Sequence, residues 1–158
     1  MDFDEDVLKC IINFLNDIDI IVVEKKLKND TFLPGLSLEK NTILMDRNKL
    51  KYPGDLLHEA GHIAVTEKKL RPLIGTKEMQ DDWPSLGDEI AAILWSYAAL
   101  SHLGLDPKIV FHPDGYKESS DWFIEQFNNK NYIGLPLLEW MGLYDNKQEF
   151  PLMKKWIR

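Results

Sequence analysis

Phe3, Val7, Ile11, Phe14, Leu15 and Ile18 fall three or four residues apart, a spacing that predicts an amphipathic helix over about 3–17. The β-branched run Ile20-Ile21-Val22-Val23 follows, bounded by Asp19 and by Glu24-Lys25-Lys26, and reads as a strand. Leu33-Pro34-Gly35 marks a turn. Leu36 and Leu38, then Ile43, Leu44 and Met45, flank the polar Glu39-Lys40-Asn41 and predict a short hairpin. Pro53-Gly54 precedes a second helix, capped by Asp55, Gly54 or an earlier residue. Beyond Arg71-Pro72 the chain is polar and irregular as far as Trp83-Pro84. Ser85-Leu86-Gly87-Asp88 then has the form of a capping box. It opens a third helix, mostly apolar from Glu89 to Leu100 and so expected to be central, which ends near Gly104 with Pro107 after it. The loop Phe111-His112-Pro113-Asp114-Gly115-Tyr116, a helix of about 119–129, a Leu-rich helix of about 135–142 and a polar tail complete the chain. The order α-β-β-β-α-α-α-α predicts an α+β fold: a small three-stranded antiparallel sheet packed on helices.

At 158 residues this is the size of one domain. A chain of that length buries roughly 70% of its unfolded surface and needs no covalent staples. The formal net charge of −7 changes the range of partners. A nucleic-acid binder normally carries a basic stripe, and the cluster Lys68, Lys69, Arg71 reads instead as a solvated helix end. No nucleic-acid partner is expected. Cys10 is the single cysteine, so no internal disulfide forms, which fits a reducing compartment. The first ten residues are acidic where a signal peptide is basic, and no apolar run approaches the ~18 residues of a membrane span. A soluble cytoplasmic protein without a membrane partner is expected, and oligomeric state is not legible.

One stretch carries chemistry. Within Asp55-Leu-Leu-His-Glu-Ala-Gly-His-Ile-Ala-Val65, residues 58–62 read H-E-x-x-H. On a helix, residues four apart are separated by about 40° in projection, so His58 and His62 present their imidazoles side by side. Glu59 lies about 100° from His58 and about 60° from His62, where it can reach a water on the metal without ligating the metal itself. A catalytic zinc takes three protein ligands and keeps one position open. It lowers the pKa of a water held there to about 7, and a nearby carboxylate can take the proton. Both residue types are therefore needed at this spacing. Gly61 adds a further signal: a glycine inside a helix costs about 1 kcal/mol against alanine and implies close approach by a neighbour.

The third ligand is expected downstream, with Glu67, Glu78, Asp81, Asp82, Asp88 and Glu89 as candidates. Glu67 is five residues past His62 on the same helix, too near the motif. Glu78, Asp81 and Asp82 lie in a loop, a less rigid platform. Asp88 is better placed to cap the third helix. Glu89 opens that otherwise apolar helix beside Ala91 and Ala92, and a buried carboxylate there needs a partner, which a metal ion would be. Glu89 is the favoured ligand.

His58-Glu59-Ala60-Gly61-His62, followed after a gap by Gly87-Asp88-Glu89-Ile90-Ala91-Ala92, resembles the compact gluzincins, most closely the ImmA/IrrE-type metallopeptidase domain. The resemblance covers about residues 1–103 as a metallopeptidase-like core and leaves 104–158 as a helical C-terminal extension within one zincin-like domain. It implies a helix, a small three-stranded sheet, the HExxH helix and a second helix whose glutamate completes the zinc site. By the same resemblance His58, His62 and Glu89 are the ligands of one zinc ion and Glu59 is the general base.

The expected activity is a zinc-dependent, peptidase-like hydrolysis of an amide bond in a peptide or protein substrate. An extended substrate would pair along a sheet edge near Ile43–Met45. The competing readings are a non-catalytic sensor or interaction domain that retains the metal, and hydrolysis of a small amide. Nickel or iron would accept the same ligand set. His112 and Tyr116 are further catalytic candidates, as donors to a developing oxyanion, because loops carry such groups; the alternative is that they are ordinary turn residues. Tyr97 and His102 read as packing and helix-end residues, and the tryptophans as core or lid aromatics.

Overall fold

The computed structural model describes residues 3–158. Asp4 caps the first helix, α1 (Glu5–Asp17), by accepting from the backbone N–H groups of Asp6 and Val7. Of the predicted apolar stripe, Ile11, Phe14 and Leu15 enter the core, joined by Leu8, while Phe3, Val7 and Ile18 are half-buried at its margin.

Three strands follow, β1 (Ile21–Glu24), β2 (Leu36–Glu39) and β3 (Thr42–Met45). β2 and β3 form the expected antiparallel hairpin, with Leu36 opposite Met45 and Leu38 opposite Ile43. β1 departs from expectation. It pairs parallel with β3, Ile21 beside Thr42 and Glu24 beside Met45, so the sheet is mixed, with strand order β1-β3-β2. The reason lies in the connection over residues 25–35, long enough to carry the chain past β3 before the hairpin begins. The most buried strand takes the centre: Ile43 and Met45 are fully buried, whereas β1 is largely exposed. Ile43–Met45 is therefore paired on both sides and offers no edge to an incoming strand. The free edges belong to β1 and β2.

The remaining helices are α2 (Asp55–Val65), α3 (Leu86–His102), α4 (Ser120–Asn128) and α5 (Leu135–Trp140). Gly54, not Asp55, is the N-cap of α2. At α3 the capping box is complete: Ser85 Oγ accepts from the Asp88 N–H at 3.1 Å, and Asp88 Oδ2 accepts from the Ser85 N–H at 3.0 Å. The close approach implied by Gly61 is the crossing of these two helices. A Cβ at Gly61 would lie 2.8 Å from the carbonyl oxygen of Ala92 and 3.2 Å from its Cα. Small residues on both sides let the helix axes come near enough for Glu89, one turn before Ala92, to reach the histidines of α2.

The segment expected to be a polar tail is anchored in the core at three points: Leu143, Tyr144 and Phe150 are buried, next to Leu138 of α5. The Trp95 indole N–H donates to the Trp156 carbonyl at 2.9 Å, and the Arg158 N–H donates to the Ala64 carbonyl at the same distance. Scattered apolar residues without a helical period make this docking invisible to pattern reading. Tyr97 packs against Phe127 with ring centres 4.8 Å apart, and His102 lies between Phe14 and Trp156. No helix among the described residues is long and apolar enough to cross a membrane.

Candidate metal centre

The geometry of α2 brings His58 and His62 to one face, with their Nε2 atoms 3.2 Å apart. Glu89 reaches across from α3, one oxygen 3.3 Å from His58 Nε2 and the other 3.0 Å from His62 Nε2. Two imidazole nitrogens and a carboxylate thus converge on one point, and His58, His62 and Glu89 could together hold a metal ion. No other His, Cys, Asp or Glu among the described residues joins this group.

The donor chemistry fits a divalent cation. Burial works against a charged His58, yet the Glu89 carboxylate outweighs it and raises the imidazole's pKa. Burial likewise works to raise Glu89, but hydrogen bonds and charge from His58 and His62 hold it well below the usual carboxylate range. Both shifts favour positive charge where the three side chains meet. A cation there satisfies what a proton must otherwise supply, and nitrogen with carboxylate oxygen is a donor set zinc accepts.

Glu59 stands beside the triad and opens to a cavity of about 250 Å³ that it lines with His62 and Glu89. Desolvation raises its carboxyl above the ordinary value, against the opposing pull of His62 and His58. A carboxylate with raised proton affinity is suited to accept a proton and hand it on.

The residues behind the histidines differ. The Tyr116 hydroxyl lies 3.0 Å from His58 Nδ1. With Nε2 given to a metal, Nδ1 carries the proton and donates it to this hydroxyl, which fixes the tautomer and the plane of the ring. Burial, with Glu89 adding to it, pushes the Tyr116 phenol well above its usual range, so it stays protonated. The loop that delivers Tyr116 is strained: Tyr116, Lys117 and Glu118 have φ of 54°, 51° and 70°, a region non-glycine residues avoid.

His112 is engaged elsewhere. Its Nε2 is 2.7 Å from Asp55 Oδ1, both side chains are buried, and its ring stacks on Tyr52 at 3.7 Å. Ser120 Oγ donates to the His112 carbonyl at 2.6 Å, and Tyr52 hydrogen-bonds Asp114. These contacts clamp the start of the loop that ends in Tyr116. Asp55, weighed in the sequence only as a helix cap, is the anchor of that clamp. Its signal was present as a carboxylate one turn before His58, but its partner lies 57 residues away. His62 Nδ1 is buried with no hydrogen-bond partner. The His62 ring meets Trp83 edge-on at 6.0 Å, and Trp83 in turn donates to Thr66 Oγ1, which donates to the His62 carbonyl.

No family model matches the chain, no curated protein matches its sequence and no solved structure matches its fold.

Proposed function

We propose that this protein is a metal-dependent hydrolase of the gluzincin type, cutting an amide bond in a peptide. One observation carries the reading. Three candidate ligand atoms converge from two helices while a fourth residue, the acidic Glu59, stands next to them uncommitted and faces a cavity. A purely structural metal site is closed by a fourth side chain, and the group here has three. The resemblance of the two motifs to the ImmA/IrrE-type domain points the same way.

His58 Nε2, His62 Nε2 and the Glu89 carboxylate would hold the ion, with zinc the metal that best suits them. When bound, the metal supplies Lewis acidity, polarising a carbonyl oxygen and making water acidic enough to react near neutral pH. The Glu59 carboxylate takes the proton from the attacking water and passes it to the departing amine nitrogen. Tyr116 keeps His58 in the tautomer that leaves Nε2 free to ligate. The protein acts on its peptide inside the compartment its single cysteine suits, the cytoplasm.

The test is the Glu59→Gln variant, assayed for zinc content and for cleavage of a mixed peptide library. Zinc should stay stoichiometric while turnover falls by about 10²-fold or more, the scale of general acid–base catalysis. If the wild-type, zinc-loaded protein cleaves nothing that the variant does not, the site is a metal-binding interaction module rather than an enzyme.

A further inference from the structure

Resting on that hydrolytic reading, we infer that the site selects a peptide with a large aromatic side chain on one side of the bond over the metal and a smaller aliphatic one on the other. Two cavities meet at the triad. The larger, about 380 Å³, is walled by Ile93, Trp122 and Phe123 and reaches His58 and Glu89. The smaller, about 250 Å³, is walled by Leu38, Trp83 and Pro84 and reaches His62, Glu59 and Glu89. Phe32 and Glu89 belong to both. A side chain seated in either cavity is thus next to a ligand. A chain that fills both must pass over the point where the triad and Glu59 meet.

The walls decide the chemistry. Both are mostly carbon, with Ile93 and Phe123 in the larger and Leu38 in the smaller, so a charged side chain gives up water for mainly apolar surroundings. The larger wall holds two carboxylates, Asp55 and Glu89, against one cation, Lys117, a balance that disfavours an acidic group. Size decides which side chain goes where. The larger cavity falls in the range of roughly 300–1,000 Å³ typical of small-ligand sites, and the smaller falls below it.

The mouth carries an independent sign. Phe32 is 93% exposed and Trp122 is 47% exposed, two large apolar groups left in water at the rim of the same cavity. Apolar surface gathered at a cavity mouth marks where an apolar partner covers it. Phe32, shared by both cavities, is placed to fold over a substrate in either.

Calorimetric titration of the zinc-loaded Glu59→Gln protein tests this without depending on turnover. The probes are acetylated, amidated tetrapeptides Gly-Phe-Leu-Gly, Gly-Leu-Phe-Gly, Gly-Ala-Ala-Gly and Gly-Asp-Asp-Gly. One of the two aromatic–aliphatic orders should bind at least tenfold more tightly than the Ala-Ala peptide, and the Asp-Asp peptide should be the weakest. Trp122→Ala should remove most of the gain from Phe and little of that from Leu, whereas Phe32→Ala should weaken both. Both residues are solvent-exposed enough for these variants to fold. Equal binding of all four peptides overturns the inference, even if the wild-type protein cleaves them. The expected ranking without any cleavage by the wild-type protein upholds the two subsites and defeats the hydrolytic reading alone.

Discussion

His58 and His62 stand one turn apart on α2 and face the same carboxylate, yet different parts of the chain hold them. His58 has its Nδ1 on the Tyr116 hydroxyl, brought in by the loop after α3. His62 has no hydrogen-bond partner at Nδ1 and is braced by the Trp83 ring and, through its carbonyl, by Thr66. The clamp itself is a local product of helix spacing. Its support is lopsided, because only one of the two rings has its tautomer set by a long-range contact. His58 is therefore the imidazole pre-oriented by a hydrogen bond, and His62 the one whose ring is placed by packing.

The largest effect should come from the carboxylate both rings share. Glu89→Ala removes one of the three candidate ligands and should weaken zinc binding well beyond the ~10–100-fold typical of outer-shell changes, as read by competition with a chromogenic chelator. Stoichiometric zinc retained by this variant would show that another residue completes the site.

Next is the clamp under the His58 side. His112→Ala leaves the buried Asp55 carboxyl without its partner, at a cost of about 2–5 kcal/mol. That corresponds to a fall of roughly 4–20 °C in melting temperature for a domain of this size. An unchanged melting temperature would mean that the pair contributes nothing to anchoring the loop.

Tyr116→Phe sharpens the comparison most directly. It deletes one hydroxyl and should lower zinc affinity about 10-fold, at the lower end of outer-shell effects, with little change in folding. The matching change on the other side, Trp83→Phe, keeps an aromatic ring beside His62 and should alter zinc affinity by less. Equal losses from the two would remove the distinction between the histidines.

The smallest effect is at the helix crossing. Gly61→Ala gains about 1 kcal/mol of helix propensity but drives a methyl against the Ala92 carbonyl, an overpacking worth about 1–3 kcal/mol. The net loss should be about 1 kcal/mol in denaturant unfolding. A stabilised variant would show that the two helices are free to move apart.

Much of this was legible in the residues because it is periodic or local. α1 follows from apolar spacing, α2 from the Pro53-Gly54 turn before it, and α3 from the Ser85–Asp88 box and the apolar run after it. His58 and His62 are neighbours because four residues make about one turn. Glu89 was singled out because a carboxylate opening an apolar helix needs a partner. The parallel pairing of β1 was not legible, since four β-branched residues carry no mark of which strand they will meet or in which direction. The anchoring of residues 143–158 was equally hidden, because Leu143, Phe150 and Trp156 dock as single side chains in an irregular and otherwise largely exposed segment. His112 and Tyr116 stood out as reactive types, but the partners the structure gives them, Asp55 and His58, lie 57 and 58 residues away.

By itself, then, the sequence singled out the three residues that the fold brings together, His58, His62 and Glu89, and Glu59 beside them, because one helix turn and one helix start are set by neighbours along the chain. Only the tertiary structure decided how that group is used. It set the crossing at Gly61 and Ala92, the phenol behind one histidine, and the two cavities that share Phe32. Each of those depends on residues far apart in the chain being packed together, and no local spacing encodes which of them will touch.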